Sequence, residues 1–568
     1  MGLEKYLAVA RGERAADLCL KKARVVNVFS GEIEERNIYI AERKIIGFSP
    51  RKAKQEIDLS GAYVLPGFID AHLHIESSYL TPVELAKILL SCGTTCAICD
   101  PHEIANVAGL EGIKYFLREA QKVPFSFYFT APSCVPASPL ETAGAILGPD
   151  EVSWLLRHPQ VTGLAEVMNF PGTIAGEPDL LAKIRITKAL GKHIDGHAPG
   201  LSGPALEAYR VAGPANDHET VSLEEAKEKL ALGFTVFIRR GSVANNLRDL
   251  LPLVSENNWP FFTLVSDDVN VKEILEKGHL NRVLREAVSL GLSPITAVRL
   301  VTISPARHYQ LLDRGGIFPG ARADLVVVKD LESFEVQAVW VAGRLVAREG
   351  RLCDEKLPQP EEALARPFTL PRDLDLRVPV QGKRLRVIGL IPGQIVTEHL
   401  LLEPTVKDGL VAADPERDLA KIVCIERHHG TGHYTVAFVR GFGLKSGALA
   451  STVAHDSHHL LVVGMNDEDI LLAAKELARL GGGQVVVNKG QIMASLPLPV
   501  AGLMSTLPAN EVAKRLEALH QAAKALGCLL PEPFMSLSFL ALPVIPYLKI
   551  TDQGLVDVER FEFVSLME

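Results

Sequence analysis

Between Pro66 and about Pro319 the chain alternates short apolar runs with helical stretches eight times. The runs are GFIDAHLH, TTCAICD, FSFYFTA, VTGLAEVMNF, KHIDGHA, VAGPANDHE, FTVFIRRGS and FFTLVSDD. Parallel strands need a crossover between them, and a helix is the usual one, so this alternation marks successive βαβ units. Eight such units over about 250 residues match a closed (β/α)8 TIM-like barrel. The sixth run is the weakest, because Pro214 interrupts it. The stretch SLEEAKEKLALG shows what separates the runs: Ser222 suits a helix N-cap and Gly233 its end.

The flanks read differently. From Ala16 to Leu65, and again from Ala323 to Val346, short alternating runs with turn signals predict strands. The economical arrangement is a small composite β domain built from 1–65 and 320–356, around a catalytic barrel at 66–319. A Pro-rich passage, 357–373, reads as a linker. Residues 374–568 read as a C-terminal α/β domain with its own helix, ANEVAKRLEALHQAAKALG, where Val512, Leu516 and Leu519 recur at helical spacing before Gly527. The fold class is α/β throughout.

Composition removes several functions. A net charge of -8 and a pI near 6.1 argue against nucleic acid or anionic membranes as the main partner. No apolar run approaches the roughly 18 residues of a membrane span; Phe539 to Leu548 is broken by Pro543 and Pro546. The N-terminal residues show no secretory pattern, and eight scattered cysteines suggest reduced thiols, so a cytoplasmic protein is expected. Cys96-x-x-Cys99 has no second pair to complete a zinc knuckle and reads as two buried strand cysteines. Neither a Walker loop nor a Gly-x-Gly-x-x-Gly fingerprint is present.

Barrel enzymes place their chemistry at the C-terminal strand ends. Those positions carry His72 and His74 after strand one, and Asp100, His102 and Glu103 after strand two. Glu166 falls within strand four; His197, His218 and Asp267 with Asp268 close strands five, six and eight. His197 or His218 alone reads as a turn or capping residue. Together at one rim all these residues supply donors for two divalent ions, and a mixed His/carboxylate set suits Mn, Fe or Zn better than Ca. Paired cations lower the pKa of water toward neutrality, and a carboxylate nearby can carry its proton. The set is suited to hydrolytic attack on an unsaturated carbon.

In order along the chain, PGFIDAHLHIESS, CDPHEIANV, PSCVP, GLAEVMNFPG, DGHAPGLSG, NDHE and SDD resemble the bacterial-type adenine deaminases of the amidohydrolase superfamily. The resemblance continues through RHHGTG, VRGFGLKSGALASTVAHDSHHLLVVG and PFMSLSFLALPVIP, and so covers nearly the whole chain. It implies hydrolytic deamination of adenine to hypoxanthine and ammonia at a binuclear centre, with Mn(2+) or Fe(2+) favoured and Zn(2+) compatible. The partners are then a small purine and water, and a homo-oligomer, dimer or higher, is expected.

By motif, His72 and His74 resemble ligands of the first metal, and His197 and His218 those of the second. Glu166 stands at the bridging position that many relatives fill with a carboxylated lysine. Asp267 matches the strand-eight ligand and general acid/base. His102 resembles a proton-transfer residue oriented by Asp100, while Glu103, Ser133 and Cys134 are candidates for the substrate pocket. Two positions depart from the pattern: Arg240 stands where Glu is usual, and Val269 follows the Asp pair where Arg is common. Both are expected near the pocket, where they bear on substrate choice. AHDSHH, with His455, His458 and His459, offers donors for a third metal site, but a role contacting or covering the barrel mouth is the one expected. The alternatives are a related amidohydrolase acting on another purine, a pterin or a cyclic amide, and a non-catalytic assembly protein on a retained barrel.

Overall fold

All eight apolar runs become parallel strands. They are β1 (Phe68–Leu73), β2 (Thr94–Cys99), β3 (Ser126–Ala131), β4 (Val161–Val167), β5 (His193–Gly196), β6 (Asn216–Asp217), β7 (Thr235–Arg239) and β8 (Phe262–Val265). The computed structural model describes residues 2–242, 244–353, 358–361 and 364–568. Strands β1 to β5 pair in order, as do β6 to β8. Two seams close the ring. At one, Ala215 N donates to Ile194 O at 3.0 Å; at the other, Asp267 N donates to His72 O at 3.0 Å. A Cβ on Gly196 would lie 2.1 Å from Asn216 O, so the β5–β6 seam closes only over a glycine. Pro214 shortens β6 to two residues without opening the barrel.

Alternation sorts the side chains. Ile69, Ala71, Cys96, Ile98, Phe237 and Val265 fill the barrel interior, while the outer faces pack on the surrounding helices. Cys96 and Cys99 are both buried in β2. The helices start as their sequences suggest: Ser222 caps Leu223–Ala231 by accepting from Glu225 N, and Thr81 caps Pro82–Ser91.

Both flanks build one nine-stranded sheet. Its join is antiparallel, Tyr63–Pro66 against Leu325–Val328, with Val64 opposite Val327. Ile40, Val64, Leu325 and Trp340 lie in its core. The expected end of this region at 354–356 and the first linker residue, 357, lie outside the described residues, as do 362 and 363 of the linker. Further along, Phe368 and Leu376 are buried against the C-terminal core.

The C-terminal domain is an eight-stranded sheet between Leu385 and Pro497, with helices Asp467–Leu480 and Ala509–Ala525 packed against it. Val512, Leu516 and Leu519 form the buried face of the second helix. That helix also packs on Val271–Lys277, which follows β8, so the C-terminal domain sits over the barrel. Among the described residues no helix is long and apolar enough to cross a membrane.

Candidate metal centre

Two groups of donors meet above the strand ends. The first holds His72 and His74, whose Nε2 atoms are 3.2 Å apart. Asp267 Oδ1 stands 3.4 Å from the one and 3.3 Å from the other. Three ligands about 2.1 Å from a tetrahedral ion lie about 3.4 Å from one another, which is the triangle observed. A break in strand pairing between Asp70 and Leu73 helps turn the two histidines to the rim. Asp70 departs from them: it accepts from Ser266 Oγ at 2.6 Å and locks β1 to β8. Asp267 adopts φ +59°, and its backbone is tied to His72 O and His74 N on either side.

In the second group, Glu166 Oε2 lies 2.6 Å from His197 Nδ1 and 3.1 Å from His218 Nε2. Its other oxygen, Oε1, faces His74 Nε2 at 3.6 Å. One carboxylate therefore touches both groups with different oxygens. The rings of His72 and His218 stack at 4.1 Å, which brings the two groups together. His74 Nδ1 is buried without a hydrogen-bond partner. The residues fit a pair of divalent ions in donor type, number and spacing.

The surroundings hold the two carboxylates and His72 in ligand form, while neighbouring carboxylates, against burial, push His218 up to about 9 and His74 well above its ordinary value. Burial alone would raise the Glu166 carboxyl, but His218 and His197 hold it well below the usual range. Asp267 is likewise held down, against burial, by Arg239 and the two histidines. Burial and the neighbouring His218 push His72 below its ordinary value, so its ring is neutral. Behind His218, Asp217 is bound by the fully buried Lys229 at 2.8 Å and accepts from Ala198 N.

His102 begins the helix His102–Ala120 and lines the same cavity. Its Nδ1 lies 3.2 Å from Asp100 and 3.6 Å from Glu166 Oε1. Asp100 stands behind His102 and takes its backbone N–H at 3.1 Å, so it orients the histidine and is not part of the lining. Glu103 is in the lining, bonded by His455 and His458 of the C-terminal domain. Ser133 and Cys134 differ from expectation. Ser133 Oγ donates to Glu166 O, and both residues are buried behind that strand, away from the cavity.

Arg240 and Val269 are corrected too. Arg240 points outward, bonded to Glu286 at 2.6 Å, and Val269 is packed in the outer core. The cation in the cavity is the preceding residue. Arg239 Nη1 donates to Asp267 Oδ2 at 2.8 Å, and the guanidinium also pairs with Glu219. The alternation that puts Phe237 inside β7 puts Arg239 inside as well, a signal available in FIRRGS. The apolar roof, Ile395 with Phe539, Leu542, Val544 and Ile545, had no such signal, because it comes from the distant C-terminal domain. A larger cleft of about 1100 Å³ lies between the flanking sheet and the barrel helices and contains none of these residues.

Known proteins match the chain along its length. The amidohydrolase family profile matches residues 63–346, and that of the adenine deaminase C-terminal domain matches 394–562. The chain is 47% identical to an adenine deaminase of Desulfatibacillum aliphaticivorans over 570 residues, covering 100% of both chains. It is also 47% identical to an adenine deaminase of Kosmotoga olearia, covering 100% of this chain and 99% of that one. Among solved structures, an adenosine deaminase from Xanthomonas campestris with bound zinc superposes with a TM-score of 0.47 at 16% identity, over 60% of this chain and 95% of that one. The chain belongs to the amidohydrolase family and, within it, to the adenine deaminases.

Proposed function

We propose that the protein deaminates adenine hydrolytically to hypoxanthine and ammonia, using two divalent ions per chain. Glu166 carries the binuclear reading: one buried carboxylate reaches His74 with one oxygen and His197 and His218 with the other. His72, His74 and Asp267 would hold one ion, His197 and His218 the second, and Glu166 both. Mn(2+) or Fe(2+) suits this His/carboxylate set, and Zn(2+) is compatible. When bound, such ions make water a nucleophile near neutral pH.

The residues then divide the remaining work. Asp267, kept ionised by Arg239, accepts a proton from the attacking water and returns it to the leaving amine. Oxygen adds at C6, the C6–N bond breaks, and ammonia leaves. His102, steadied by Asp100, is placed to assist proton movement at the ring. Adenine as the substrate is supported by the relatives, which bear the name adenine deaminase across the whole chain. All eight cysteines are free thiols, which supports a cytoplasmic setting.

Product identity tests the reading. Metal-replete protein given adenine should release ammonia and hypoxanthine in equal amounts. Ring opening with a new carboxylate, or no reaction, would overturn it.

A further inference from the structure

Two adjacent residues of the C-terminal domain line the cavity, and each carries a buried polar atom without a hydrogen-bond partner. They are His455 and Asp456, on the loop between strands Ala448–Ser451 and Leu460–Gly464. His455 Nδ1 is bonded to Glu103, whose other oxygen is bonded to His458 Nε2, so the ring is fixed from one side. Phe539 covers one ring face, with centroids 4.8 Å apart and planes 12° from parallel. The remaining nitrogen, Nε2, is buried and has no hydrogen-bond partner; neither has Oδ2 of Asp456. Buried polar atoms are rarely left unpaired, and in a cavity wall the missing partner comes from what the cavity holds.

On the reading above, C6 and its amino group face Glu166 and Asp267. The edge of the purine base farthest from C6 offers an acceptor, N3, beside a donor, N9–H. The wall offers the complement: a ring nitrogen and a carboxylate oxygen on neighbouring residues. We propose that His455 and Asp456 read this edge, Nε2–H of His455 donating to N3 and Oδ2 of Asp456 accepting N9–H. The Glu103 carboxylate offsets the burial of His455 and raises it to about 9, so Nε2 carries a proton. A substituent on N9 would remove the donor and press carbon against Asp456, so the loop selects free bases over nucleosides. This assignment rests on the proposed purine chemistry and extends it to the far side of the ring.

Binding of hypoxanthine, which is not turned over, tests the assignment in the metal-replete full-length protein. Calorimetry should show 9-methylhypoxanthine and 3-deazahypoxanthine binding at least about tenfold more weakly than hypoxanthine, the worth of one charge-assisted hydrogen bond each. Asp456→Ala should erase the first penalty and His455→Ala the second, with metal content unchanged. If His455→Ala does not fold, His455→Gln takes its place and should reduce the 3-deaza penalty. Penalties that persist in the variants, or that are absent from the wild type, overturn the assignment. Ammonia release from adenine is scored separately. A protein with these binding penalties that releases none keeps the edge reading and fails the proposed reaction, and the converse fails only the edge reading.

Discussion

Asp267 is gripped on several sides: His72 and His74 at one oxygen, Arg239 at the other, and backbone bonds to β1 before and after it. Its neighbour Asp268 is bonded instead by Ser77, at the edge of the cavity. Asp267→Asn should therefore lower kcat by at least about 100-fold, and Asp268→Asn should be clearly milder. The reverse order would shift the roles by one residue. A similar contrast separates Arg239 from Arg240. Arg240→Glu should leave kcat/KM for adenine within about twofold, because the side chain faces Glu286 and Glu273 outside the barrel. The same substitution should lower the Tm by setting three carboxylates together. A change of preferred purine in Arg240→Glu would mean that the outward placement is wrong. At this scale the convergence of the candidate donors was legible, because each stands at or near the C-terminal end of an apolar run. The roles of Ser133, Cys134 and Arg240 were not, since a motif match does not say which way a side chain turns.

Among the elements, the roof is the part that covers the site. The cavity measures about 70 Å³, far below the roughly 300 Å³ of ordinary ligand clefts, so the roof fits closely over the centre. Lys549 anchors that roof, its Nζ donating to Ile395 O at 2.8 Å and Phe539 O at 3.0 Å. Burial pushes its ammonium down to about 7 from an ordinary 10.5. Between those values the unfolded chain holds the proton and the folded one does not, so folding stability rises with pH across that window and is flat below it. Lys549→Met should remove this component. Urea unfolding of both proteins between pH 7 and 9.5 measures it, and parallel slopes would show that Lys549 is charged in the fold. The eight barrel strands were legible because apolar runs and helices alternate so regularly. The roof was not, since 539–545 follows no period and acquires its role only where the C-terminal domain meets the barrel.

Across the whole molecule, three sheets serve one site. The barrel supplies the donors, the flanking sheet ties its first strand to its exit, and the C-terminal domain holds Glu103 and covers the mouth. That division was readable as architecture from the two β-rich flanks and the separate C-terminal helix, but the closing contacts span more than 350 residues of sequence. Glu166 is proposed to join two ions into one catalytic centre. The most direct test of this is to strip the protein with a chelator and titrate Mn(2+) or Fe(2+) back, following ammonia from adenine without added bicarbonate. Activity should climb to a plateau at two equivalents per chain, and Glu166→Gln should show neither the uptake nor the activity. A plateau at one equivalent, full activity with no metal, or an unchanged titration in Glu166→Gln would contradict it.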